Sequence, residues 1–128
     1  MRQEGGRPVL GDKGFNTSFE GPLFRELLSR PVRLDRPKGS RHPRFPSIVY
    51  PVDYGYVDLK SVDGEGLDVF VGTLPEHRVT GVILCLDLMK QELEPKVLIS
   101  CTSEEIGIVR NFLEQELHML VWSSSDAA

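Results

Sequence analysis

Cysteine is scarce in this chain: the only two, Cys85 and Cys101, lie in apolar segments without metal-ligand or redox spacing. That excludes a disulfide framework, and both are expected as buried, reduced thiols. Histidine is equally sparse, and His42, His77 and His118 are too scattered for the paired spacing of a zinc site. No apolar run approaches the roughly 20 residues that cross a bilayer, and the N-terminus lacks the apolar centre of a secretory signal. A cytoplasmic protein without a membrane partner is the expectation. Positive charge is not in excess either. A net charge of −4 and a pI near 5.4 argue against nucleic acid as a partner, which calls for a basic surface. The chain has no strand-Gly-x-x-x-x-Gly-Lys-Ser/Thr phosphate loop and no Gly-x-Ser-x-Gly elbow. It also has no internal repeat and no dividing linker, and 128 residues with 40% hydrophobic content support one core.

What is present is a concentration of acid. Asp63-Gly64-Glu65-Gly66-Leu67-Asp68 sets three carboxylates within one short loop, followed by the strand-forming Val69-Phe70-Val71. An Asp-Gly pair is a common hairpin signal, so a solvated acidic turn is one reading. The other is a cation site, because like charges 4 Å apart repel by about 4 kcal/mol at an effective dielectric near 20. Magnesium suits hard oxygen donors of this kind. A basic run precedes the loop: Arg30, Arg33, Arg36, Lys38, Arg41 and Arg44 are opposed only by Asp35. It reads as a solvated face or as a field that steers anions toward the acidic loop.

The pattern along the chain is mainly β. Residues 1–21 are rich in glycine and polar groups and read as a flexible segment, and Leu23 to Leu28 read as a short helix ended by Pro31. Strands are expected at Val32–Asp35, Ile48–Tyr50, Tyr54–Leu59, Leu67–Gly72, Thr80–Leu88 and Lys96–Ser100. Tyr50, Tyr54 and Tyr56 share a face of an extended chain, where packing is the default role and Tyr54 the best candidate for a polar contact. Thr102-Ser103-Glu104-Glu105 is a capping box, after which Ile106, Val109, Leu113, Leu117 and Leu120 recur on one helical face widened by Phe112. The expected architecture is α+β: a small closed or nearly closed OB-like β-barrel over residues 22–122 with a packed C-terminal helix. A frayed tail over 123–128 completes it.

Three motifs in order carry a family resemblance: Pro37-Lys38-Gly39-Ser40-Arg41, then Tyr50-Pro51-Val52-Asp53-Tyr54-Gly55-Tyr56, then Asp63-Gly64-Glu65-Gly66-Leu67-Asp68-Val69. Together they resemble the soluble family I inorganic pyrophosphatases, from Val32 to Trp122. The resemblance implies Mg²⁺-dependent hydrolysis of pyrophosphate, or a related phosphoanhydride, to two phosphates, with Mn²⁺ as a possible substitute. It implies metal ligands at Asp63, Asp68, Glu94 and Asp35, with Glu65 orienting or deprotonating the attacking water. Tyr54 falls beside the metal and phosphate site, and Lys96, in Glu94-Pro95-Lys96, falls where a lysine meets phosphate. A homo-oligomer is common in that family.

The departures are specific. Glu65-Gly66 stands where the family has Asp-Pro, so the carboxylate reaches one methylene further from a more flexible backbone. A hairpin and its phosphate-gripping arginine are missing after Arg41, which leaves Arg41 or Arg44 as the substitute cation. Glu116-Leu117 stands where the family helix ends in a phosphate-binding Tyr-Lys pair. Asp87 or Glu92 is the remaining acid of the shortened segment before Lys96. The metal half of the site is kept and the phosphate half is thinned. The alternative to hydrolysis is therefore a pyrophosphatase-fold protein with little turnover, acting as a phosphate-ligand-binding or protein-interaction module.

Overall fold

The computed structural model describes residues 19–60 and 64–126. Its elements follow the hydrophobic pattern. Helix α1 (Pro22–Leu28) starts on Gly21, whose φ of 107° suits glycine, and carries proline in its first turn. Strands β1 (Val32–Arg36), β2 (Asp53–Val57), β3 (Leu67–Val71), β4 (Val79–Asp87) and β5 (Glu92–Ile99) come next. Then come α2 (Ser103–Asn111), a π-helical turn (Phe112–Glu116) and β6 (Leu120–Ser125). Among the described residues, no helix is long and apolar enough to cross a membrane.

The strands form one mixed sheet in the order β1-β2-β3-β5-β4-β6, antiparallel except where β3 runs parallel to β5. The protein is mainly β with a packed C-terminal helix, as expected, and the sheet is not closed: β1 and β6 are its two edges. Both faces carry a core, because buried residues alternate along the strands. Phe70, Ile83, Cys85 and Leu98 face α2 and pack with Ile106, Val109, Phe112 and Leu113. Val57, Val69, Val79, Val97 and Ile99 face the other way, against Leu27 of α1. Cys85 and Cys101 are free and buried, as anticipated. Burial pushes their thiols up to about 11 and about 12 respectively.

Three expectations change. The segment Ile48–Tyr50 makes only an isolated bridge, Arg41 with Val49, in place of a full strand. The helical stripe does not run to Leu120. The α-helix gives way at Phe112 to a wider turn in which the Leu117 amide reaches the Phe112 carbonyl at 3.2 Å, and His118 reverses the chain at φ 57°. That reversal needs no glycine, since histidine tolerates the left-handed region better than most residues. Third, the chain then returns as β6 alongside β4, so Ser123, Ser124 and Ser125, expected to fray, pair with Ile83, Val82 and Gly81. Asp126 is tied in as well, by a 3.4 Å ion pair with Arg78. At the other end, residues 1–18 of the expected flexible segment lie outside the described residues, and Phe19 packs edge-to-face on Phe24 at 5.5 Å.

The start of α2 is anchored as its sequence indicates. Thr102 Oγ1 accepts from the Glu105 amide at 3.1 Å, and Glu105 Oε1 accepts from the Thr102 amide at 2.9 Å. The same oxygen accepts from the Thr73 amide at 3.1 Å, which fastens the helix to the turn after β3. Gly72 is required there: a Cβ would lie 2.3 Å from Glu105 Oε1 and 2.5 Å from Cys101 Cα.

Candidate functional site

Side chains from β1, β2, β3 and β5 converge with the loop before β3 on one open cleft of about 750 Å³. Alternation along the strands supplies most of them. Tyr54 and Tyr56 of β2 lie opposite Phe70 and Asp68 of β3, and Glu94 and Lys96 stand on β5 two residues apart. Edge strand β1 contributes two consecutive residues, Asp35 and Arg36. A regular strand would send these to opposite faces, but the pairing with β2 skips between Leu34 and Arg36, and such a bulge re-aims a side chain. The same approach of β1 and β2 requires Gly55, where a Cβ would meet the Arg33 carbonyl oxygen at 2.2 Å. The far wall is apolar: Phe112, Leu113, Leu117 and Met119.

Lys96 dominates the electrostatics. Its ammonium is 2.8 Å from Asp68 Oδ2 and 3.5 Å from Glu94 Oε1, and its side chain is only 6% exposed. Burial alone favours the neutral amine. The neighbouring Tyr54 oxygen and Asp68 carboxylate outweigh it, and Lys96 is held above the usual lysine range. Tyr54 is raised in turn, first by burial and further by the Asp68 charge and its hydrogen bond, against the opposing pull of Lys96. The phenol is therefore protonated at neutral pH. Asp68, the charged residue in an otherwise apolar strand, is engaged by both neighbours.

A second cation shares the cleft. Arg36 Nη1 donates to the Tyr50 hydroxyl at 2.5 Å, and its guanidinium lies 5.3 Å from the Tyr50 ring centroid and 6.0 Å from that of Tyr54. Lys96 Nζ lies 5.7 Å from the same Tyr54 ring. Cations this close to an aromatic ring are attracted by its quadrupole. Tyr54 thus stands between the two positive groups and is itself set by packing on Tyr50 and Phe70, at 5.4 and 4.9 Å. His42 borders the cleft beside them; burial, then Arg36 and Arg44, lower its pKa.

Of the residues singled out by sequence, Asp35, Tyr54, Glu65, Asp68, Glu94 and Lys96 border this one cleft. Asp63 lies outside the described residues. Arg41 and Arg44, taken from sequence as the substitute phosphate cations, do not line it. Arg41 Nη1 instead donates to the Pro46 carbonyl of its own loop at 2.8 Å, and the Arg44 amide donates to His42 Nδ1 at 3.1 Å. Sequence reasoning passed over Arg36 and Lys90, both cleft residues. Arg36 carried a signal in its place within the basic run beside Asp35, but strand alternation alone assigns those two neighbours to opposite faces. Glu65 comes after Gly64, which turns at φ 88°, and precedes Gly66, where a Cβ would meet Tyr56 Cδ2 at 2.8 Å and the Val57 carbonyl oxygen at 3.1 Å. A residue larger than glycine at 66 would push the Glu65 loop off β2.

Carboxylate oxygens are the donor class that magnesium takes. Among the described residues no three acidic, histidine or cysteine side chains converge as a ready-made cage. That arrangement is compatible with Mg²⁺, which is commonly held by one or two carboxylates together with waters and substrate phosphates. The donors present fit such a shared ion.

No family model matches the sequence, and no curated protein matches it. Solved structures resemble the fold. An inorganic pyrophosphatase from Neisseria gonorrhoeae superposes with a TM-score of 0.53 at 19% identity, over 75% of this chain and 79% of that one. An inorganic phosphatase from Anaplasma phagocytophilum gives 0.46 at 17% identity, over 73% and 82%. The likeness is one of fold.

Proposed function

We propose that the cleft binds pyrophosphate or a related phosphoanhydride together with Mg²⁺ and hydrolyses it to two phosphates. The observation that carries this reading is the meeting of four acidic residues, Asp35, Glu65, Asp68 and Glu94, with two cations, Lys96 and Arg36, in one cleft. The pyrophosphatase-like fold supports it. Asp68, Glu94, Asp35 and Asp63 are the candidate ligands, of which one or two would hold the ion together with waters and substrate phosphates. When bound, Mg²⁺ supplies neutralisation of phosphoryl charge and a more acidic water, and Mn²⁺ is a candidate substitute.

The chain's own groups do the rest. Lys96 has three N–H donors against two carboxylate partners, leaving one for a phosphate oxygen. Arg36 offers a planar fork already oriented by its aromatic stack, suited to a second phosphate. Tyr54 holds its phenolic proton at neutral pH and serves as a hydrogen-bond donor. Glu65 orients the attacking water or accepts its proton. A cytoplasmic setting accords with the two free thiols.

A second reading rests on the engagement of Asp68 by Lys96 and Tyr54. A carboxylate so occupied is a weaker metal ligand, which favours a phosphate-binding module with little turnover. One experiment separates the two: phosphate release from pyrophosphate with Mg²⁺ and then Mn²⁺, beside Asp68→Asn, and pyrophosphate binding by calorimetry. Metal-dependent turnover lost in the variant establishes the hydrolase. Saturable binding without turnover establishes the module, and neither activity nor binding rejects both.

A further inference from the structure

The cleft is divided by the part of the chain that builds it. Its charged residues come from β1, β3, β5 and the turns before β3 and β5, whereas the four that follow α2, namely Phe112, Leu113, Leu117 and Met119, are all apolar. Polar side chains of the same turn are directed elsewhere: Glu114 pairs with Arg110 at 3.4 Å, and Glu116 borders a separate groove. The apolar wall is fixed in place. The Leu117 amide donates to the Phe112 carbonyl at 3.2 Å and the Met119 amide to the Leu113 carbonyl at 3.0 Å, with His118 at φ 57° between them. Wide turns of this π type are frequent at functional sites. Phe112 and Leu113 are buried, but Leu117 and Met119 remain partly exposed. Phe112 also packs on Tyr50 at 5.0 Å, and Tyr50 accepts from Arg36, so the wall begins one ring away from a cleft cation.

We infer, on the reading of the cleft as a phosphoanhydride site, that its substrate is a diphosphate esterified at one end with a hydrocarbon group, which lies on Leu117 and Met119. The first reason is space. At about 30 Å³ for each water-sized group, pyrophosphate takes up roughly a third of a cleft of about 750 Å³, leaving room for an attached chain. The second is desolvation. A bare phosphate against this wall gives up water without gaining a donor, while a hydrocarbon there removes itself and the two side chains from water. The third is charge. Among the described residues the cleft sets Arg36, Lys90 and Lys96 against four carboxylates, and esterification removes one acidic oxygen from the ligand. A hydrocarbon fits better than a nucleobase because none of the four wall side chains can pair the polar edge of a base. Met119 adds a flexible surface that adapts to the shape of a chain. In the reaction, water activated by Glu65 attacks the terminal phosphorus and gives its proton to that carboxylate. The anhydride P–O bond breaks with its electron pair leaving on the alkyl phosphate, so the products are inorganic phosphate and a monophosphate ester.

The test compares pyrophosphate, methyl diphosphate, n-hexyl diphosphate and ADP with the full chain, for phosphate release with Mg²⁺ and, separately, for binding by calorimetry. Hexyl diphosphate should exceed methyl diphosphate about tenfold in kcat/KM and in affinity, the gain of a partly buried chain. In Met119→Gln, close to the native volume and folded by circular dichroism, that ratio should fall to about twofold. Hydrolysis of pyrophosphate with no preference for hexyl over methyl overturns the inference and leaves the hydrolase reading standing. No release from any compound rejects the hydrolase reading alone. Binding then decides the subsite: a preference for hexyl upholds it, and equal or absent binding overturns it. ADP favoured over hexyl diphosphate would mean a wall that takes a base and overturns the hydrocarbon assignment. An unchanged ratio in folded Met119→Gln overturns it too. If that variant fails to fold, the wild-type ratios decide alone.

Discussion

The Lys96 ammonium lies 2.8 Å from Asp68 Oδ2, joining β5 to β3 across the sheet's parallel strand pair. The partners are unequally buried, Lys96 at 6% and Asp68 at 29% side-chain exposure. Removing one or the other therefore has unequal consequences, since a charge left alone in the interior costs more than one near water.

Asp68→Asn should destabilise the fold by about 3 kcal/mol, the lower end for a broken buried pair, because Glu94 remains near the ammonium. Lys96→Met keeps much of the side-chain volume and leaves a carboxylate that water reaches, so it should cost less. Urea-denaturation midpoints of the two variants check the ranking. The reverse order would mean that Asp68, and not Lys96, is the strained partner.

Arg36→Lys should raise the KM for pyrophosphate about tenfold, as the planar fork and its stack on Tyr50 are lost. Arg41→Ala and Arg44→Ala should leave KM within about twofold, since surface charges outside the cleft act only through a screened field. Steady-state phosphate release measured on all three distinguishes the positions. A larger effect at Arg41 would show that its loop closes over the substrate.

Glu105 should give the stability curve an acid limb. Burial raises its pKa, but the amides of Thr102 and Thr73 donate to the carboxylate and carry the pKa below the ordinary value. The native state therefore binds fewer protons than the unfolded one. The stabilisation is complete above the unfolded value of about 4.3 and fades as pH falls through the depressed native value. Glu105→Gln should be less stable at pH 7 and lose less on acidification, as thermal melts from pH 7 to pH 3 would reveal. Parallel curves for the two proteins would remove Glu105 from the acid response.

That Asp35, Tyr54, Glu65, Asp68, Glu94 and Lys96 line one cleft was legible only through the family resemblance of their motifs, not through strand period, since the expected strand began at Lys96 and left Glu94 outside it. Arg36 was not legible, because its cleft position depends on the bulge between Leu34 and Arg36, set by pairing with β2. Arg41 and Arg44 stand outside the cleft for a related reason: their loop turns back on itself through the Pro46 carbonyl and His42, contacts that composition does not record.

The sequence by itself determined the strands from β1 to β4, the second half of β5, both helix starts and the capping box, because turn residues, hydrophobic period and side-chain caps act within a few residues. Tertiary structure alone decided where the last helix ends and that a sixth strand comes after it. Leu120-Val121-Trp122-Ser123-Ser124-Ser125 becomes β6 because β4 offers it an open row of backbone hydrogen-bonding groups. That same distant pairing turns Leu120 and Trp122 outward beside Leu84 and Leu93, creating an apolar face that no local window of the sequence contains.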